Sequence, residues 1–269
     1  MRLKDKIAVI VGGGQQSGET IGNGRATAIR FAQEGATVLL ADVYETSAEE
    51  TGHHIKEAGG TYSTVAADVT KEEDCKRIID TCLERYGRID ILHNNVGRSR
   101  GDKPTYDLEV AMWDELMALN LKGTFMTCKH ALGAMRAQGG GAIINVSSTS
   151  SINVCPTVTY KTAKSAINGL TEHMAIENAG KGVRVNAILP GLVDTPMAIE
   201  RRAKEMGVPR DEVRAMRRLR VPLKSKEGSA WDVANAAVFL ASDDAAFITG
   251  HLLVVDGGAR LTAGTGMFE

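Results

Sequence analysis

The sequence predicts an α/β fold: a single domain built as a doubly wound parallel sheet of about seven strands, with helices on both faces. Two observations carry that prediction. Short aliphatic runs alternate with helical stretches along the whole chain, and no linker or repeat interrupts the rhythm. The aliphatic runs are also continuous rather than alternating, which marks strands covered on both faces and joined by right-handed βαβ crossovers.

The elements follow in order. Residues 6–11 (KIAVIV) form a first strand ending in glycines, and 25–34 (RATAIRFAQE) a helix stopped by Gly35. Residues 37–41 (TVLLA) are the second strand. Ser47 stands at capping-box spacing from Glu50 and opens a helix that Gly59 and Gly60 end. Residues 63–67 are the third strand. Thr70 with Glu73 repeats the capping-box spacing. It opens a helix whose Cys75, Ile78, Ile79, Cys82, Leu83 and Tyr86 share one face, and Gly87 stops it. Residues 89–92 and 142–146 supply the fourth and fifth strands, on either side of a long helical region. Residues 183–189 and 252–255 supply the last two, each preceded by a helix. The one irregular stretch is 194–228.

Composition narrows the function classes. Lys plus Arg is 32 and Asp plus Glu is 33, a net charge of −1, which lacks the basic excess of a dedicated nucleic-acid binder. The aromatics (Trp 2, Tyr 5, Phe 5) are too few for base-stacking platforms. The apolar run at 7–11 is too short for a signal sequence, and no run approaches the ~18 residues of a membrane span. Cys75, Cys82, Cys128 and Cys155 form no CxxC pair and are expected to be reduced, buried thiols of a cytoplasmic protein. The six histidines make no HExxH or HxxxH spacing, so no metal site is expected. Glycine is abundant, 29 of 269 residues, and several glycines cluster in one loop.

That loop, 11–26 (VGGGQQSGETIGNGRA), follows the first strand directly and opens a helix. In this context glycines permit a tight turn and close approach of a dinucleotide's pyrophosphate to a helix N-terminus. Gly12, Gly22 and Gly24, with Asn23 between the last two, are the candidate set, and several extra residues separate the first from the second. The second strand ends in Asp42, whose carboxylate would accept hydrogen bonds from an adenosine ribose diol and repel a 2′-phosphate. Val43 beside it adds no positive charge, so the expected cofactor is NAD rather than NADP. Arg25, close to the phosphate region, is the one cation that could reverse this preference. Asp68 and Val69, ending the third strand, suit a contact with the adenine amino group, and an Asp there equally suits a helix cap.

Further polar residues fall where strands end, the edge that borders the ligand crevice of an open parallel sheet. Asn94 begins NNVG, which continues through Gly97, and Asn120 lies in MALNLKGTF. Ser147 and Ser148 close the fifth strand. Tyr160 and Lys164 sit at i, i+4 in YKTAK, which puts phenol and ammonium on one helix face. Together with VNAILPG, VDTPM, FLASDDAAFITG and VVDGG, this ordered set resembles the short-chain dehydrogenase/reductase family over nearly the whole chain. The resemblance implies a Rossmann-type, NAD(P)-dependent enzyme moving a hydride between NAD and a secondary alcohol or ketone. By the same resemblance Tyr160 is the general acid/base, and Lys164 binds the nicotinamide ribose and lowers the Tyr160 pKa. A serine holds the substrate oxygen and Asn120 supports a water relay to Lys164. Asn94 and Gly97 line the cofactor cleft, and Pro190, Gly191, Leu192 and Thr195 lie along the nicotinamide. A free tyrosine titrates near 10, so work at neutral pH requires its pKa to fall by roughly two to three units.

The chain departs from the family pattern in three places. Val11 stands where the family carries Thr, and the inserted GQQSGET is expected either to wrap the pyrophosphate or to contact a neighbouring element. Ser148 precedes Tyr160 by one residue fewer than is common, a spacing Ser147 would restore. The alignment of IINVSS nevertheless favours Ser148. The resemblance also implies a homotetramer, a tail (262–269) reaching a neighbouring subunit, and a substrate lid at 194–228. That lid carries Arg201, Arg202, Lys204, Arg210, Arg214, Arg217, Arg218, Arg220, Lys224 and Lys226, and Arg98 and Arg100 follow the NNVG turn. These cations suit either an anionic substrate or a solvated surface. Alternatives to the main reading are an NADPH-dependent 3-oxoacyl-carrier-protein reductase and a non-catalytic NAD(P)-binding scaffold.

Overall fold

Seven strands form one all-parallel sheet in a computed structural model of the chain, which describes residues 1–223 and 228–262. They are β1 (Ile7–Val11), β2 (Thr37–Asp42), β3 (Thr61–Ala66), β4 (Ile91–Asn94), β5 (Gly141–Val146), β6 (Val183–Pro190) and, after a small pair described below, β9 (Leu252–Val255). Their order is β3-β2-β1-β4-β5-β6-β9, so the direction of winding reverses between β1 and β4. Side chains alternate along each strand. Ala8, Ile10, Val38, Leu40 and Ile144 pack with α1 (Asn23–Gln33), α2 (Glu45–Glu57) and α9 (Ala230–Ala241). Val9, Val11, Leu39, Ala41 and Ile143 pack with α3 (Glu72–Tyr86), α5 (Gly123–Gln138) and α6 (Val158–Ala179). Both faces are therefore core, which is why the strands read as unbroken apolar runs. Among the described residues no helix is long and apolar enough to cross a membrane.

Several local expectations change. The fourth strand begins two residues late, because the Asp90 carboxylate takes the Ile7 N–H at 2.8 Å and pairs with Arg88 before the ladder starts. Neither expected capping box forms. Helix α2 starts at Glu45, and Ser47 instead accepts the Gln15 N–H and donates to the Gln15 carbonyl, both at 2.9 Å. Helix α3 starts at Glu72, and the Thr70 hydroxyl donates to Asp68 at 2.7 Å. The capping box that does form is Ser229 with Asp232, opening α9.

Residues 194–228 are not irregular. They carry α7 (Pro196–Met206) and α8 (Arg210–Arg218) between β7 (Val193–Asp194) and β8 (Gly228–Ser229), which pair in parallel and bring both ends of the excursion together. Helix α8 escapes periodicity because Val213 is its one buried residue, too little apolar surface to make a stripe. Lys224 and Lys226, and residues 263–269 of the tail, lie outside the described residues. All four cysteines are free thiols; three are buried, and Cys155 is half-buried rather than buried.

Candidate functional site

A long cleft runs across the carboxyl ends of the strands at the reversal between β1 and β4, where an open α/β sheet leaves room for a ligand. Every candidate catalytic or cofactor-binding residue named above except Asn94 and Asn120 lines it.

One end of the cleft is built by the glycine loop. Gly12 has φ +82°, and its N–H and that of Gly13 both reach the Ala41 carbonyl, at 2.8 and 3.1 Å. A Cβ on Gly24 would stand 1.9 Å from the Gly12 carbonyl oxygen, so that helix–loop contact admits glycine alone. Helix α1 starts from Gly22 with no side-chain cap, leaving the amides of its first turn directed to the cleft. The extension contacts neighbouring elements. Gln15 is held by Ser47, the Glu19 N–H donates to Glu200 of α7 at 3.0 Å, and Arg210 of α8 bridges Glu19 and Glu200.

Asp42 ends β2 beside this loop. Its Oδ2 accepts the Gly14 N–H and its Oδ1 the Tyr44 N–H, each at 3.0 Å, which fixes the carboxylate and leaves lone pairs open to the cleft. Arg25 does not offset it. Its guanidinium is buried against α2, donating to Thr51 at 2.8 Å and paired with Glu50 at 2.9 Å. Asp68 lines the cleft but spends Oδ1 on the Thr70 turn. These features fit the adenosine and pyrophosphate of a nicotinamide dinucleotide: uncapped helix amides, a glycine contact that a Cβ would close, and a carboxylate lining the same cleft at the end of β2.

At the other end, α6 carries Tyr160 and Lys164. The helix is anchored by a residue no sequence rule singled out. Asp102, in the loop after β4, accepts the Thr159 and Tyr160 N–H groups at 3.2 and 2.7 Å. It caps from 58 residues away, and the only signal in the sequence was a helix start at Thr157 that makes no side-chain cap of its own. Lys164 is buried, its Nζ donating to the Val146 carbonyl at 2.8 Å and standing 5.7 Å from the Tyr160 ring centre. Burial pulls its pKa down to about 8. Ser148 lies beside the Tyr160 phenol and pulls its pKa down, whereas the hydroxyl of buried Ser147 is spent on the Lys164 carbonyl at 2.9 Å. The chain by itself holds the phenol pKa up, opposite to the direction the resemblance implies. Burial outweighs the lowering by Ser148, Arg201 and Arg202.

Two asparagines are placed differently from expectation. Asn94 points into the core, donating to Asn145 at 3.0 Å and accepting from Thr127 at 2.8 Å, and Asn95 lines the cleft in its place. The strand's side-chain alternation sends one Asn inward, a choice NNVG alone did not decide. Asn120 is fully buried in a π-helical turn (Ala118–Lys122) between α4 (Val110–Met117) and α5. Its amide is spent on the Arg98 N–H and C=O, both at 2.9 Å, so the side chain holds the loop rather than a water. Gly97 keeps the space open: a Cβ there would lie 3.1 Å from Lys164 Nζ. Pro190, Gly191 and Leu192 form the floor after β6, where Leu192 is held at φ +55°, a strained conformation of the kind that concentrates at ligand sites. Thr195 then stands at the N-cap position of α7 without a side-chain capping bond.

Residues 19–260 match the model of a family described as enoyl-(acyl carrier protein) reductase. The chain is 36% identical over 255 residues to a cis-4-hydroxycyclohexanecarboxylate dehydrogenase of Sinomonas cyclohexanicum, covering 94% of this chain and 96% of that protein. It is 35% identical over 264 residues to a 3-oxoacyl-(acyl-carrier-protein) reductase of Thermotoga maritima, covering 96% and 99%. The crystal structure of levodione reductase matches with a TM-score of 0.90 at 32% identity, covering 97% of this chain and 99% of that one.

Proposed function

The chain belongs to the short-chain dehydrogenase/reductase family, and from that membership we propose that it oxidises a secondary alcohol, or reduces the matching ketone, with NAD as its coenzyme and Tyr160 as acid/base. The observation that carries the reading is the convergence of Ser148, Tyr160 and Lys164 on one cleft wall, with Lys164 5.7 Å from the Tyr160 ring. A bound nicotinamide ring supplies the two-electron acceptor or donor for the carbinol carbon. Tyr160 Oη takes the hydroxyl proton in the oxidative direction and returns it in the reductive one. Ser148 Oγ donates a hydrogen bond to the oxygen on which charge develops. Lys164, fixed by Val146, places a buried positive charge 5.7 Å from the Tyr160 ring centre. A cationic ring bound next to the phenol would add the remaining pull needed to bring its pKa down. Gly12, Gly22, Asn23 and Gly24 approach the pyrophosphate, and Asp42 with the uncharged Val43 favours the free ribose diol of NAD over a 2′-phosphate. Gly97, Pro190, Gly191, Leu192 and Thr195 shape the nicotinamide end, and Asp68 and Val69 the adenine end.

An NADPH-dependent carrier-protein reductase is disfavoured by Asp42, because the nearby Arg25 is spent on Glu50. A non-catalytic scaffold has no reason to keep the trio aligned. Helices α7 and α8 act as the substrate lid, and the exposed Phe125 and Ile176 of α5 and α6 suit the subunit faces of a cytoplasmic homotetramer. Tyr160→Phe tests the central claim. Stopped-flow oxidation of a hydroxycyclohexanecarboxylate should fall about 10²–10⁴-fold in kcat, while NADH still binds. An unchanged kcat would reject the assignment.

A further inference from the structure

We propose that the substrate of this site carries a carboxylate, received at the catalytic end of the cleft by the guanidinium of Arg202 with Arg201 beside it. The inference rests on the hydride-transfer reading above and adds the substrate's charge to it. The described cations of the 194–228 excursion are not alike. On α8, Arg210 pairs with Glu19 and Glu200, and Arg214 with Asp194 and Asp211, so these hold the lid together. Arg98, on the facing loop, is paired with Glu115. Arg202 of α7 is different. It is half-buried in the cleft wall, donates to the Ala198 carbonyl at 3.0 Å, and has no carboxylate at ion-pair distance among the described residues. Arg201, next to it, donates to Ser99 at 3.0 Å, lies 3.8 Å from Glu205, and keeps a buried Nε that makes no hydrogen bond.

The electrostatics run the same way. Burial and the like charges of Arg201 and Arg220 push the Arg202 pKa down, and Glu205 offsets them only in part. A guanidinium partly removed from water and crowded by its own sign is costly unless an anion completes it. A carboxylate does so with two parallel N–H···O bonds, for which the planar fork is suited. The size of the substrate follows from position. Arg201, Arg202 and Tyr160 line the same cleft, and the two guanidinium charges act on the phenol. An anion on Arg202 and a carbinol on Tyr160 would then be two parts of one cleft-bound molecule. A phosphorylated carrier, with its phosphate many bonds from the reacting carbon, fits this spacing poorly.

The test uses the purified enzyme with NAD and three probes: hydroxycyclohexanecarboxylates, their methyl esters, and cyclohexanecarboxylate, which lacks the hydroxyl and reports binding alone. The wild type should prefer acid over ester at least tenfold in kcat/KM. That ratio should collapse in Arg202→Gln and partly return in Arg202→Lys. Calorimetric titration of the NADH complex with cyclohexanecarboxylate should show binding at least tenfold weaker in Arg202→Gln. Equal use of acid and ester by the wild type, or an equal loss of both in Arg202→Gln, overturns the proposal. If neither acid nor ester is oxidised, the titration decides. Binding that depends on Arg202 keeps the carboxylate site and removes the hydride-transfer reading, whereas no binding, or binding indifferent to Arg202, overturns the site.

Discussion

On the proposed function, Asp42 would set coenzyme choice through charge and geometry at a single position. Both its oxygens are already oriented by backbone N–H groups, so it would meet a ribose diol without reorganising and a 2′-phosphate as a fixed like charge. A hydrogen bond to a charged group is worth about 1.5–3 kcal/mol, roughly ten- to a hundredfold. Asp42→Ala should therefore lower the NAD-over-NADP ratio of kcat/KM at least tenfold in parallel steady-state assays. His93 is the opposite case, a titratable residue that does no chemistry. It is fully buried in β4, packed edge-on to Phe31 with ring centres 6.1 Å apart, and neither ring nitrogen finds a partner. Burial lowers its pKa from 6.5 to about 3. Between those values the unfolded chain binds a proton that the native state refuses, so stability falls as pH drops from about 6.5 toward 3. The loss from this residue is on the order of 3 kcal/mol at pH 4. His93→Phe should flatten that acid limb in urea unfolding at pH 4 and 7, and an unchanged limb would show that His93 is not its source.

At the scale of elements, α6 depends on a cap supplied by another loop. Asp102 satisfies two amides that the helix leaves open and places negative charge at the positive end of its dipole. Because those amides belong to Thr159 and Tyr160, the cap also sets the position of the phenol. Asp102→Ala should cost about 0.5–2 kcal/mol of stability and lower kcat severalfold. Asp102→Asn, which keeps one acceptor oxygen, should recover much of both. Full activity in Asp102→Ala would separate the cap from the chemistry. The period of each major helix and the continuity of each core strand were legible in the sequence, because burial on one or two faces writes itself into apolar spacing. The capping residues were not. Ser47, Thr70 and Asp102 each could bond to several backbone groups, and packing chose among them.

At the scale of the molecule, the excursion through α7 and α8 and the extended glycine loop meet over the cleft, joined by Arg210, Glu19 and Glu200. The glycine loop and the 194–228 excursion thus share one set of ion pairs. Association is the remaining large-scale question. Phe125 and Ile176 are 48% and 78% exposed on the adjoining helices α5 and α6, where a pair of large apolar side chains would suit a subunit face. Light scattering should give about four times the 28.7 kDa chain mass, and Phe125→Glu with Ile176→Glu should reduce it. A monomeric mass for the unsubstituted protein would reject the tetramer.

The sequence by itself determined the alternation of elements, the glycine loop, the acidic end of β2 and the i, i+4 pair of Tyr160 and Lys164. Each of these is a local matter of backbone freedom, burial periodicity or helical spacing. Only the tertiary structure decided that Ser148 and not Ser147 faces the phenol, that Asn95 and not Asn94 reaches the cleft, that Arg25 is spent on Glu50, and that Arg202 has no carboxylate at ion-pair distance among the described residues. Those outcomes turn on which partner lies within about 3 Å after distant segments meet, and the chain order alone does not contain that distance.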